Sequence, residues 1–321
     1  MARYADIAVN LTDPMFQGIY HGKKKHAPDL DAVISRAKSQ GVQRMLITGT
    51  SLSESREALE MAKRYDLHCT AGVHPTSTSE IDKHPQGADA CFQELEQLIE
   101  ADRGEGGSKR IISLGEIGLD YDRLNWSPKE TQLRHLPRLL LLSKRFRLPM
   151  FLHSRTPESH VDLIKAMRDA GWVSPFTEGT GAGEKEWVGG VVHSFTGTTE
   201  EVKELVDMGL YIGLNGCSLK TAENLETVKT IPLDRIMLET DAPWCSITTS
   251  HASHPFLPPT SSSVYIQRVN KAEKWQEGQG VKGRMEPADV AVIAEVVARV
   301  NGVKVEEVIQ AAWGNTERLF W

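Results

Sequence analysis

Hydrophobic positions in this chain fall into short continuous runs, and several of the runs stop abruptly at an acid, an amide or a histidine. The first, 4–9, ends at Asn10. Runs at 45–47 and 67–73 follow, the latter closing in His74-Pro75. The run 111–115 ends at Glu116, 149–152 at His153 and 188–192 at His193. The last two are 210–213 and 235–238, and the latter switches into Glu239, Thr240 and Asp241 before Ala242-Pro243. Between these runs lie stretches with helical spacing, at about 29–40, 53–65, 88–101, 129–146, 157–170, 198–208 and 220–230. In the first of them Leu30, Val33, Ile34 and Ala37 share one face. Ser53 is the expected cap of the second, and Pro137 is expected to kink or split the fourth. Two amphipathic helices, about 287–300 and 304–313, and a turn at 315–320 close the chain.

Runs that are apolar throughout, rather than alternating, fit strands buried on both faces of a parallel sheet. Eight of them separated by helices predict an α/β fold, a closed TIM (β/α)8 barrel, in one domain spanning 1–321. Two polar segments break the rhythm. One, at about 174–186, is Gly-rich and reads as a surface loop. The other, at about 248–284, is rich in Pro and Ser and reads either as a cover over the barrel mouth or as a partly disordered loop.

Composition narrows the class. A length of 321 residues suits one large barrel with insertions. Charged residues make up 25% and hydrophobic ones 40%, which fits a globular protein. The net charge of −6 argues against holding nucleic acid by bulk positive charge, though not against reaching phosphates through bound cations. The scattered cysteines Cys69, Cys91, Cys217 and Cys245 form no C-x-x-C pair and read as reduced thiols. No apolar h-region follows Met1 and no run approaches membrane-spanning length. The expectation is a monomer of the cytoplasm, with the nucleus as an alternative, and no membrane partner.

In parallel barrels, chemistry sits at the C-terminal ends of the strands. Glu116, His153, His193 and Asp241 lie there, spaced by 37, 40 and 48 residues, which places them on strands four, five, six and eight. Two imidazoles and two carboxylates suit a divalent metal: Zn²⁺, Mn²⁺ or Mg²⁺, as one or two ions. Any one of these residues alone is more often structural; four in register point to a site. Arg155, two residues past His153, can meet a phosphate or form a rim salt bridge. Asp120 can orient a ligand from behind or make an Asx turn. Glu239 points to the same side as Asp241 and supports the site from behind. Lys23-Lys24-Lys25, with His21 and His26, either steers a DNA backbone or is a solvated loop. Trp244 and Tyr121 either stack on bases or pack at the rim. His251 and His254 read as surface residues, Trp313 and Trp321 as core or terminal packing.

Six motifs, in order along the chain, resemble the TatD family of metal-dependent deoxyribonucleases. They are Gly72-Val-His-Pro75, Gly115-Glu-Ile-Gly-Leu-Asp-Tyr121, His153-Ser-Arg155, His193-Ser-Phe-Thr-Gly197, Tyr211-Ile-Gly213 and Glu239-Thr-Asp-Ala-Pro243. Asp6-Ile-Ala-Val-Asn-Leu-Thr12 and Leu46-Ile-Thr-Gly-Thr50 are similar to the TatD branch itself. The resemblance implies an amidohydrolase-like barrel that hydrolyses DNA phosphodiesters, as a 3′-to-5′ exonuclease on single strands. It implies that Glu116, His153 and His193 are ligands, with Glu116 bridging. Asp241 would be a ligand and the base for water, and His74 and Arg155 would touch the substrate phosphate. Eukaryotic relatives are linked to DNA fragmentation in cell death. One position departs from many family members, which open with His-x-His where this chain has Ala8 and Asn10. Asn10 offers an oxygen, with Asp6 near it in sequence, so one metal position is expected to be weaker and richer in oxygen. Rival readings are a small-molecule amidohydrolase or lactonase on the same barrel, and a metal-depleted binding protein.

Overall fold

The computed structural model describes residues 2–172, 187–265 and 270–321. The expected loop at 174–186 lies outside the described residues, as do positions 266–269 of the second insertion. Eight strands hydrogen-bond side by side in chain order. They are β1 (Tyr4–Val9), β2 (Val42–Ile47), β3 (His68–Ala71), β4 (Ile111–Asp120), β5 (Met150–Arg155), β6 (Gly190–Val192), β7 (Tyr211–Leu214) and β8 (Ile236–Leu238). Neighbouring strands from β3 through β7 pair in parallel. Val9 and Ala242 form a parallel bridge that brings the first and last strands together. This is the (β/α)8 barrel that the apolar runs predict.

Helices follow the strands: α1 (Leu30–Ser39), α2 (Leu52–Tyr65), α3 (Thr78–Asp82), α4 (Ala88–Arg103), α5 (Lys129–Phe146), α6 (Pro157–Asp169), α7 (Thr199–Asp207) and α8 (Ala222–Thr230). Two more, α9 (Val290–Asn301) and α10 (Val305–Phe320), end the chain. The chain divides into two compact units. One comprises 1–46, 194–198 and 213–316; its core holds Ile7, Leu11, Phe16 and the almost wholly buried α9. The other comprises 47–193, 199–212 and 317–321, with Leu95, Ile99, Ile111, Phe151 and Tyr211 at its centre.

Several boundaries differ from the pattern-based expectation. β4 does not stop before Glu116 but runs to Asp120, because β5 supplies partners as far as Asp120 opposite Arg155. Helix α5 is not split: Pro137 sits inside it on the exposed side. The carbonyl of Leu133 that loses its partner there lies on a half-exposed residue, while buried Leu136, Leu139 and Leu140 hold the inner face. Ser51 rather than Ser53 caps α2, accepting from Glu54 N. The turn expected at 315–320 is the second half of α10, from which Asn315 donates to the carbonyls of Leu233 and Ile236. Among the described residues, no helix is long and apolar enough to cross a membrane.

Candidate metal centre

Four motif residues meet in the second unit. Gly72 and Gly115 make this possible by letting three backbones approach. A Cβ on Gly72 would lie 2.6 Å from the Gly115 carbonyl carbon, and one on Gly115 would lie 2.5 Å from the Phe151 Cβ. The β4–β5 register shifts between Leu114 and Ile117, and Glu116 N donates to Gly49 O at 2.9 Å. The glutamate side chain is thereby delivered to a buried point where imidazoles converge. Its Oε1 lies 2.6 Å from His193 Nε2, 2.8 Å from His153 Nδ1 and 3.2 Å from His74 Nε2. All four side chains are buried. Burial, the largest single influence, pushes the Glu116 pKa up. The imidazoles of His193, His74 and His153 together outweigh it and hold the carboxyl well below its ordinary range.

His153 lies between two carboxylates, within ion-pair distance of each. Its Nδ1 faces Glu116, and its Nε2 lies 3.3 Å from Asp120 Oδ2. A histidine whose far nitrogen is held by a carboxylate is oriented to offer the near one to a metal. Asp120 also accepts from Asp122 N through Oδ1, so it makes the Asx turn and backs His153 at once. Burial raises the Asp120 pKa, but the contacts with His153, His74 and Arg155 bring it below its ordinary value.

His74, Glu116 and His153 offer ligand atoms within 4.8 Å of one another. The hydrogen bonds separate His74 from the other two. Its Nδ1 accepts from the Thr76 backbone N–H at 3.1 Å, and the Thr76 hydroxyl lies 2.7 Å away. A backbone N–H only donates, so Nδ1 keeps its lone pair and the proton of the neutral ring sits on Nε2. Burial lowers the His74 pKa, which keeps the ring neutral. His74 is therefore built as a donor, which leaves Glu116 Oε1, His153 Nδ1 and His193 Nε2 as the candidate ligand set. Two imidazole nitrogens and a carboxylate oxygen, buried and backed by Asp120, fit a divalent metal. Arg155 is the half-buried last residue of β5, opposite Asp120.

The first unit holds a second polar group, around Asp241. This residue follows β8, adopts φ 54° and donates its N–H to Ala8 O. Asn10 Nδ2 donates to Asp241 Oδ1 at 2.9 Å and to Ala242 O at 3.3 Å. Cys245 donates to Asp241 Oδ2 at 3.3 Å, and its Sγ is 2.6 Å from Cys217 Sγ; neither is joined in a disulfide. Asp6 accepts from Thr240 N, Thr240 Oγ1 and Ala8 N, and so pins the segment before Asp241 to β1. Burial drives the Asp6 pKa well above its ordinary value, against the three donors. Glu239 is fully buried and accepts from Ser194 N at 2.7 Å and Asn215 Nδ2 at 2.8 Å.

Two participants were not singled out from the sequence. Asn215 closes the apolar run of β7, so the strand-end rule applied to that run would have found it. Thr76 has no such signal. Tyr121 donates to Asp162 under Lys129 and so packs at the rim, while Trp244 is 49% exposed.

Comparison with known proteins agrees with this geometry. The family model described as TatD related DNase matches residues 5–321. The chain is 41% identical to the deoxyribonuclease Tat-D of Schizosaccharomyces pombe, over 99% of this chain and 95% of that protein. It is 37% identical to the 3′-5′ ssDNA/RNA exonuclease TatD of Erwinia tasmaniensis, over 74% of this chain and 79% of that one. The solved structure of an uncharacterized amidohydrolase from Saccharomyces cerevisiae superposes with a TM-score of 0.86 at 33% identity, covering 100% of both chains. The chain belongs to the family of TatD-related DNases.

Proposed function

We propose that the protein is a metal-dependent deoxyribonuclease that shortens single-stranded DNA from its 3′ end. The observation that carries this is the convergence of His153 Nδ1 and His193 Nε2 on Glu116 Oε1, with the donor His74 Nε2 3.2 Å from the same oxygen. The names of the fungal and bacterial relatives support the reaction class, and the exonuclease name supports the polarity and the single strand.

In this reading Glu116, His153 and His193 hold a divalent ion, Mg²⁺, Mn²⁺ or Zn²⁺. When bound, such an ion acidifies water and offsets phosphate charge. The protein does the rest. Asp120 fixes the His153 ring. His74 donates from Nε2 to a phosphoryl oxygen, and Arg155 adds its charge there. Asp241, by its place in the Glu239-Thr-Asp-Ala-Pro243 motif, is the proposed acceptor of the water's proton and a further ligand. Water adds to phosphorus, the bond to the leaving oxygen breaks, and that oxygen takes up a proton.

The test is incubation of end-labelled single- and double-stranded DNA with Mg²⁺ or Mn²⁺, with and without chelator. Stepwise shortening of the 5′-labelled single strand, abolished by chelator and by Glu116→Gln, is expected. Chelator-insensitive or absent cleavage would sink the proposal.

A further inference from the structure

On a chain with net charge −6, one cleft gathers four lysines and a single acid. It lies in the first unit and has a volume of about 570 Å³. Lys23 and Lys25 come from the loop after β1; Lys271 and Lys282 come from the insertion after β8. Glu273 is the acid in the lining, and it lies 3.2 Å from Lys25. The Glu273 pKa is lowered first by its own backbone hydrogen bond and then by Lys25 and Lys271, which share this one acid.

The two walls are held in place. Residues 19–20 and 23–24 pair as a small antiparallel ladder, with Tyr20 opposite Lys23. His26 Nδ1 is 2.6 Å from Ala27 O, and its Nε2 is 3.2 Å from the Tyr20 hydroxyl. Its ring stacks on Trp275 with centroids 4.9 Å apart and planes 22° off parallel. Trp275 Nε1 donates to Gln279 O, and Lys282 N donates to Asn270 O. Buried Arg284 ties the end of the insertion to Asp29 through two charged hydrogen bonds. A hairpin wall and an insertion wall are thus clamped by a His–Trp stack, and the lysines reach into the space between.

Concentrated positive charge of this kind costs self-repulsion unless an anion shares it. The cleft far exceeds one phosphate group, and its cations come from two separate segments. That arrangement fits a chain of phosphates. We propose that this cleft binds the sugar–phosphate backbone of a single-stranded nucleic acid, adding affinity without sequence preference. The assignment rests on the nuclease reading and adds to it a holding site made by the two loops.

Binding is measured without cleavage, in chelator, with a fluorescent oligonucleotide of about 20 nucleotides, for the intact protein and for Lys23→Ser/Lys271→Ser/Lys282→Ser. The triple variant is expected to bind about 100-fold more weakly at ~0.1 M salt, with a log–log salt slope smaller by about 2, since each lost contact with a single strand removes ~0.7. Glu273→Gln, which removes the competing acid, is expected to tighten binding about twofold. The triple variant should melt no lower than the intact protein, since removing like charges relieves repulsion, and this shows that it folds. Unchanged oligonucleotide affinity and slope in the triple variant would overturn the assignment. So would displacement of the oligonucleotide by low-millimolar inorganic phosphate, which marks a site for the free anion. Failure of the nuclease reading shows separately, as absence of chelator-sensitive cleavage by the intact protein, and leaves the binding result standing.

Discussion

His74 and Asp120 both touch the Glu116–His153 cluster, but from opposite chemical positions. His74 is a neutral donor fixed by the Thr76 N–H, and Asp120 is an acceptor behind a ligand. His74→Ala should leave metal affinity nearly intact while lowering the cleavage rate about 10²–10³-fold, as expected for loss of one oriented donor. Asp120→Asn should instead weaken metal binding about 10–100-fold. Isothermal titration with Mn²⁺ beside a single-turnover assay separates the two; equal loss of metal by both variants would refute the distinction. Glu116 also sets a pH dependence. Its carboxyl is held well below its unfolded value of 4.5, so its stabilisation is full above that value and is lost as pH falls through the folded pKa. The His74 pKa is depressed from 6.5, so its contribution too is present above that value and is lost on acidification. Chelator-treated protein should therefore begin to lose melting temperature below about pH 6.5, with a second loss below about 4.5 that Glu116→Gln reduces, the remainder coming from carboxylates such as Asp120. The convergence of Glu116, His153 and His193 was legible because the sequence shows apolar runs ending in residues able to ligate a metal. The donor role of His74 was not derivable from the residues alone, because it depends on which nitrogen the Thr76 backbone N–H engages.

Strands β1 to β8 were readable as apolar runs because each is buried on both faces. Their ends were less readable, since a strand continues for as long as its neighbour offers hydrogen bonds. In β4 the polar residues Glu116 and Asp120 stay within the strand because β5 runs alongside. Helix α5 makes the complementary point. Pro137 is exposed and its cost is met by the buried leucines on the other face, so the helix persists where local chemistry predicts a break. Pro137→Ala restores one hydrogen bond without touching the core and should stabilise the protein by about 1–3 kcal/mol in urea melts. No stabilisation would mean that the helix bends there to relieve the ring.

Reading 248–284 as a cover over the barrel mouth or a partly disordered loop missed a buried charge network at its end, because an ion pair in the interior and one in solvent have the same sequence signature. Arg284 is 2% exposed and holds Asp29 at 2.8 and 2.6 Å, Glu286 at 3.0 Å and the Met15 carbonyl at 3.2 Å. Arg36 adds two hydrogen bonds to Glu286. The network joins residues 13–17, α1 and the end of the insertion within the first unit. Arg284→Ala leaves Asp29 and Glu286 as buried charges without this cation and should cost about 3–5 kcal/mol. Against a total stability of roughly 5–15 kcal/mol, that loss threatens folding. Guanidinium melts check it, and a loss under about 1 kcal/mol would show that the charges find other partners.

The contacts at Gly72, Gly115 and Gly118 carry a consequence for how such a protein diversifies. Three strands touch at bare backbone, and a methyl group on Gly118 would collide with the His153 carbonyl. The spacing between Glu116 and the imidazoles is therefore set by main chain against main chain, with little side-chain packing to retune. Exposed positions of the loops after β1 and β8 can change length or charge without touching those backbone contacts. A designer wishing to redirect this scaffold to another strand or polymer would rewrite exposed positions of these loops, such as Lys23 and Lys271, and leave those glycines, Phe16 and Arg284 alone.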